Sequence, residues 1–217
     1  MLFSDRVEAG KMLAAALMDY AEGAAIVLAI PRGGVVLGYE LANKLRLRLD
    51  IIVPRKLRAP HNPELAIGAI TEDGIIMLDH RLVEYLAVSE SYIEEESRRQ
   101  RLEITRRLQR YRGDVPYPNL EGRAIILVDD GIATGATIRA ALASIRKKEP
   151  KSIVLSVPVA PPSIIKDLER DADYIVCLSM PEPFYAIGRF YRDFPQTSDE
   201  EVIRLLQRNR EEIPNCE

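Results

Sequence analysis

Along the chain, short apolar runs alternate with stretches in which apolar residues recur every three or four positions. The runs are Ala25–Ile30, Ile51–Val53, Ala124–Val128, Ser152–Val157 and Tyr174–Leu178. They are brief, rich in β-branched residues and apolar at nearly every position, the pattern of strands buried on both faces of a parallel sheet. Periodic stretches at about Asp5–Ala21, Val35–Leu45, Ile138–Lys148 and Ser163–Asp171 predict helices between them. Such alternation reads as α/β with right-handed crossovers. One interruption is Ala66–Leu78, where Asp73-Gly74 between two apolar runs predicts an antiparallel hairpin. There is no internal repeat, low-complexity tract or flexible linker, so one domain over residues 1–217 is expected.

A polar piece at about 81–113 departs from that alternation. Within it, Ser89–Arg112 carries Glu90, Glu94, Glu95 and Glu96 at its start and Arg106, Arg107, Arg110 and Arg112 at its end, which complements a helix dipole. Glu94–Arg98, Glu95–Arg99 and Glu103–Arg107 are spaced for ion pairs one turn apart, and Ser91 with Glu94 is a candidate capping box. Its arginines suit either a nucleic-acid surface or a solvated face. The matching acids favour the solvated face.

Composition narrows the classes. Hydrophobic residues make up 47% and charged residues 29%, a globular balance. Lys and Arg number 30 against 33 Asp and Glu, so the net charge of −3 provides no general attraction for nucleic acid or an anionic membrane. No apolar run approaches the roughly 20 residues that cross a bilayer. Residues 1–20 are too charged for a secretory signal, so a cytoplasmic location is expected. Cys177 and Cys216 are the only cysteines, too few for a disulfide framework or a cysteine zinc site.

The most informative stretch is Ala124-Ile-Ile-Leu-Val-Asp-Asp-Gly-Ile-Ala-Thr-Gly-Ala-Thr137. An apolar strand ends in Asp129 and Asp130, a small-residue turn follows, and a helix then begins. Ligands of open parallel sheets bind beyond the carboxyl ends of the strands. Gly131 and the small residues Ala133, Thr134, Gly135 and Ala136 let backbone N–H groups approach an anion, and the helix N-terminus adds a favourable dipole. Thr134 and Thr137 add hydroxyl donors. The two acids repel a phosphate but accept well from a vicinal diol. A ribose 5-phosphate carries both features. A P-loop reading of the acids fails because G-x-x-x-x-G-K-[ST] occurs nowhere, and G-x-G-x-x-G is missing too.

This stretch resembles the thirteen-residue signature of the type I phosphoribosyltransferases, an apolar run followed by Asp-Asp-Gly-x-x-Thr-Gly-x-Thr. Val128, Asp129, Asp130, Gly131, Thr134, Gly135 and Thr137 fill its defining positions. Ile30-Pro-Arg-Gly-Gly34 is similar to the family's pyrophosphate loop, with Arg32 as charge partner and Gly33 and Gly34 allowing close approach. In relatives the peptide before the basic residue is often cis, which singles out Pro31–Arg32. Arg55-Lys56 followed by His61 is similar to the mobile catalytic loop of orotate phosphoribosyltransferases, although the third base, Arg58, comes one residue early and Pro60 precedes the histidine. His80 reads as a surface residue. A C-terminal segment at about 179–200 is similar to the hood of 6-oxopurine phosphoribosyltransferases. Phe184 and Asp193-Phe194 are the counterparts there, with spacing two residues longer, and packing into the core is an equal reading of these aromatics. Among relatives the pattern most resembles the group called "predicted phosphoribosyltransferase", which also carries a long helical insertion.

The resemblance implies a type I phosphoribosyltransferase fold: a parallel sheet flanked by helices, with a flexible hairpin loop, a helical insertion and a small hood. It implies transfer of a phosphoribosyl group between 5-phosphoribosyl 1-diphosphate (PRPP) and a nitrogenous base. Asp129 and Asp130 would hold the ribose, and Gly131 and Ala133–Thr137 the 5-phosphate. Arg32, Gly33, Gly34, Arg55 and Lys56 would hold the pyrophosphate, His61 would close over it with Lys56 in the catalytic step, and Phe184 would stack on the base. Mg²⁺ is the implied cofactor, with its protein ligands open, and a homo-oligomer is expected. The same fold also serves PRPP-sensing regulators with little transferase activity, and the Arg55–His61 loop favours the enzyme.

Overall fold

The computed structural model describes residues 1–21 and 23–213, and Cys216 lies outside the described residues. In chain order the elements are α1 (Arg6–Ala16), β1 (Ile26–Ala29), α2 (Gly33–Leu45), β2 (Arg48–Ile51), β3 (Arg55–Ala59), β4 (Asn62–Ile70), β5 (Ile76–Leu78), α3 (His80–Tyr85), α4 (Glu90–Arg112), β6 (Ala124–Val128), α5 (Ala136–Arg146), β7 (Ser152–Val159), α6 (Pro162–Leu168), β8 (Tyr174–Ser179) and α7 (Asp199–Glu212). Five strands form one parallel sheet in the order β2-β1-β6-β7-β8. Side chains on a strand alternate between faces, and here both faces are covered. Val27, Ala29, Leu49, Ile51, Ile126, Val128 and Val154 share one core with buried residues of α1, α2 and α7. Ile26, Leu28, Ile125, Leu127, Ile153, Leu155 and Val157 share the other with α5 and α6. The uninterrupted apolar runs of the sequence follow from that double coverage.

β1 and β6 are neighbours, with β2 beyond one and β7 beyond the other. The strand order reverses between them, which is where ligands of such sheets bind. Both functional turns predicted from sequence leave the carboxyl ends of these two strands.

Several boundaries differ from expectation. The second strand begins at Arg48 and carries Asp50, which is buried and accepts from Arg112 Nε at 3.0 Å. An acid in mid-strand hid it from a reading by apolar runs. The first helix stops at Ala16 and is followed by a 3₁₀ turn at Met18–Tyr20. α3 and α7 were not predicted. For α7 the signal was Ser198, which caps Glu201 N–H at 3.1 Å, with three acids in the first turn. The cap of α4 is Ser89, accepting from Tyr92 N–H at 3.3 Å, instead of Ser91. Glu103–Arg107 pairs at 2.7 Å as spaced, whereas Arg99 pairs with Glu96.

A separate antiparallel sheet is formed by β3-β4-β5. β4 and β5 pair from Ile70↔Ile76, closing over the predicted Asp73-Gly74 turn, where Gly74 has φ +81°. Glu72 in this connection is half-buried, and among the described residues its Oε2 has no hydrogen-bond partner. Burial pushes its carboxyl up to about 7; Arg112 opposes the shift, while Asp50 and Asp73 add to it. A carboxyl raised in the folded state stabilises the fold below its unfolded pKa, near 4.5, and that contribution is lost as pH rises through about 7. The melting temperature of Glu72→Gln should therefore fall less than that of the natural protein between about pH 5 and pH 8. Parallel curves from calorimetric melts across that range would refute it.

Candidate active site

The two turns at the ends of β1 and β6 pack against each other, and both line a cavity of about 390 Å³. On the β1 side the Pro31–Arg32 peptide is cis, and α2 begins at Gly33. A Cβ on Gly33 would lie 1.9 Å from Asp130 Oδ2 and 2.8 Å from Arg6 Nε, so only glycine fits between the turns. On the β6 side the chain passes through Asp129 and Asp130 into a small-residue turn. Gly135 ends that turn at φ +77°, in the left-handed region that favours glycine, and serves as the N-cap of α5. It supplies no side-chain cap. The first N–H groups of a helix lack intrahelical partners, so those of α5 remain open to an anion in the cavity.

Asp129 Oδ1 accepts from the Asp130 N–H at 2.8 Å. Asp130 Oδ2 accepts from Arg6 Nε at 2.9 Å and pairs with Arg6 Nη2 at 2.8 Å. Burial holds both carboxyls above the ordinary aspartate range. For Asp129 the neighbouring Asp130 adds to the rise, while for Asp130 the Arg6 guanidinium opposes it. Arg6 also donates to the Pro195 carbonyl at 2.6 Å and lies 3.7 Å from the centre of the Phe194 ring. Tyr191 donates its hydroxyl to the Asp130 carbonyl at 2.7 Å. The C-terminal aromatic segment is thereby tied to one of the two acids.

Of the residues singled out in the sequence, the structure brings Arg32, Gly33, Arg55, Lys56, Asp129, Asp130, Gly131, Ala133, Thr134, Gly135 and Thr137 into the lining of this cavity. Gly34 packs beneath it, where a Cβ would lie 3.0 Å from Asp129 Cα, and Ala136 is the first residue of α5. His61 is set apart: it is exposed at the tip of the β3–β4 hairpin. The hairpin expected here is formed by β3 and β4, whose pairing shifts register around Arg58. Phe184 is set apart too. It stacks on Phe190 at 5.2 Å and lines an adjoining depression with Ala133, Thr134 and Pro181–Tyr185, while Ile187 reaches the main cavity in its place. Asp193 is exposed, and its backbone N–H donates to Ser4 at 2.9 Å.

Sequence reasoning missed Arg6, Tyr191, Ile187 and Arg107, and left Arg58 without a role. For Arg6 a signal was present. Arg6, Ala9, Gly10 and Leu13 recur at the spacing of one helix face, and all four are buried.

The sequence model described as "Phosphoribosyl transferase domain" matches residues 6–194. The chain belongs to that family. Two Mycobacterium tuberculosis proteins, from strains CDC 1551 and H37Rv, bear the name "Putative phosphoribosyl transferase" and are 42% identical over 207 residues. That stretch is 95% of this chain and 47% of theirs, so the chain spans about half the length of the curated relatives it matches. The crystal structure of TT1426 from Thermus thermophilus, also 42% identical, superposes with a TM-score of 0.81 over 96% of this chain and 99% of that one. In this phosphoribosyl transferase domain, no three His, Cys, Asp or Glu side chains gather into a metal-holding group among the described residues. Nor is any described helix long and apolar enough to cross a membrane.

Proposed function

We propose that the protein transfers a 5-phosphoribosyl group between PRPP and a nitrogenous base, releasing pyrophosphate, with Mg²⁺. One observation carries this reading. Two adjacent carboxylates stand beside an uncapped helix N-terminus, and a wall of cations faces them across one cavity. Carboxylates accept from the ribose hydroxyls, the α5 amides with Thr134 and Thr137 hold the 5-phosphate, and Arg32, Arg55 and Lys56 face the diphosphate. Bond breaking at an anomeric carbon develops oxocarbenium character, so the protein's contribution is alignment and stabilisation of the departing diphosphate.

The donor set fits Mg²⁺. This ion keeps several waters and binds through one or two carboxylates plus substrate phosphates. Asp129 and Asp130 supply that number at the cavity, and among the described residues no third acid lines it to build a protein cage. When bound, the ion neutralises charge on the diphosphate.

Incubating the protein with PRPP, Mg²⁺ and a panel of free bases, and following pyrophosphate release, tests the reading. Tight PRPP binding without release for any purine, pyrimidine or related base would replace the transferase with a PRPP sensor. Within the transferase reading, Lys56→Ala with His61→Ala should still bind PRPP within several-fold of the natural protein. It should turn over about 100-fold more slowly or worse, because charge aimed at the leaving group acts mainly in the transition state. Most of that loss should already appear in Lys56→Ala, whose side chain lines the cavity. Equal steady-state kcat values for the variants and the natural protein would exclude the hairpin from the chemical step.

A further inference from the structure

The polar helix α4 is more than a solvated face. Tyr92, Glu96, Gln100, Glu103 and Arg107 fall on one stripe of it, each three or four residues from the last. That stripe runs along β3 and fastens it. The Tyr92 hydroxyl donates to the Arg58 carbonyl at 3.1 Å, and Glu96 Oε1 accepts from the Arg58 N–H at 3.3 Å. Glu96 Oε1 also accepts from Gln100 Nε2 at 2.9 Å, and Gln100 Oε1 accepts from Arg55 Nε at 3.0 Å. Glu96 and Gln100 are buried in this contact. Farther along the same stripe, Arg107 reaches the wall of the active cavity.

Five cations line that cavity, Arg32, Arg55, Lys56, Arg58 and Arg107, against the two carboxylates Asp129 and Asp130. Asp130 is already paired with Arg6. Arg55 is held by a neutral amide, and the nearby Arg107 charge adds to burial in lowering its guanidinium below the ordinary arginine value. Arg107 pairs with Glu103 at 2.7 Å, and that carboxylate opposes the lowering of Arg55. Glu103 is shared with Arg106, however, whereas a diphosphate offers oxygens to Arg55 and Arg107 together. The adjacent Arg106 provides a contrast. It shares Glu103 with Arg107, yet its side chain is 54% exposed against 21%, and it does not line the cavity.

We infer that Arg107 is a direct ligand for the diphosphate group of the substrate, and that α4 is the element that delivers it. This rests on the PRPP reading above. The test is calorimetric titration of PRPP and of inorganic pyrophosphate into the natural protein, Arg107→Ala, Arg107→Lys and Arg106→Ala. Arg107→Ala should weaken both ligands by roughly tenfold or more, the scale of one charged hydrogen bond. Arg107→Lys should recover part of the loss by keeping the charge without the fork. Arg106→Ala should stay within about twofold, as screened surface charges do. Equal effects of the two alanine variants on both ligands would overturn the inference and leave the PRPP reading standing. Failure of the natural protein to bind either ligand would overturn both.

Discussion

Asp129→Asn should raise the stability of the ligand-free protein at neutral pH while weakening its hold on PRPP. The carboxyl is held above its ordinary range by burial and by the adjacent Asp130. An acid raised in the folded state contributes stability below its unfolded pKa, near 3.8, and loses it as pH rises through the folded value. Above that unfolded value its readiness to ionise therefore opposes folding. Asparagine has the same shape and keeps an oxygen for the Asp130 N–H, so it removes the charge and little else. Each kcal/mol regained should raise the melting temperature by about 2–4 °C in a chain of this size. Binding should move the other way. A hydrogen bond to a charged group contributes about 1.5–3 kcal/mol, so Asp129→Asn with Asp130→Asn should lose one or more orders of magnitude in PRPP affinity. Calorimetric melts and titrations check the two halves. A lower melting temperature for Asp129→Asn together with unchanged PRPP affinity for the pair would sink the assignment of these acids to ribose.

Arg6→Ala should be the most damaging single substitution at the site. It strips Asp130 of a partner that meets one oxygen through two nitrogens, in a pair whose side chains are only 10% and 15% exposed. Leaving one member of a buried pair uncompensated costs about 3–5 kcal/mol. That is a large share of the roughly 5–15 kcal/mol that holds a domain together. The same change releases the Pro195 carbonyl and the Phe194 ring, loosening the aromatic segment. The melting temperature should fall by on the order of 10 °C. Arg6→Lys should recover little, since an ammonium cannot reproduce the fork. The decisive measurement is the double-mutant cycle. Combining Arg6→Ala with Asp130→Asn should restore much of the loss, because no stranded charge remains. If the two losses simply add, the pair is not coupled and the assignment fails.

What the chain discloses on its own follows from how local each feature is. The Asp129–Thr137 turn is built by consecutive residues whose sizes and charges have one joint explanation, so it can be recognised without neighbours. The parallel strands disclose themselves because burial on both faces leaves a continuous apolar run. Arg6 and Arg107 are different. Each reaches the site from a helix outside the two turns, and nothing in the sequence of either helix names the partner it meets across the fold. The period of α1 places Arg6 on a buried face, but only the fold shows that Asp130 waits there. Phe184, whose place beside a strand end suggests a ring for stacking on a base, stacks in the folded chain on Phe190 and lines the depression that adjoins the cavity, a neighbourhood only the fold discloses. The position of His61 is likewise set by pairing between β3 and β4, which puts it at the hairpin tip.

The fit of Gly33 against Asp130 makes the two turns interdependent in heredity as well as in space. With 1.9 Å available where a methyl would go, position 33 admits no other side chain while Asp130 keeps its place. A variant library randomised at position 33 alone should therefore return glycine almost uniformly. Alternatives should appear only alongside a second change that vacates the space at Asp130 and gives Arg6 a new partner. The turn assigned to pyrophosphate and the turn assigned to ribose thus cannot drift one residue at a time, and an altered sugar or phosphate preference has to be sought by changing both loops in one step.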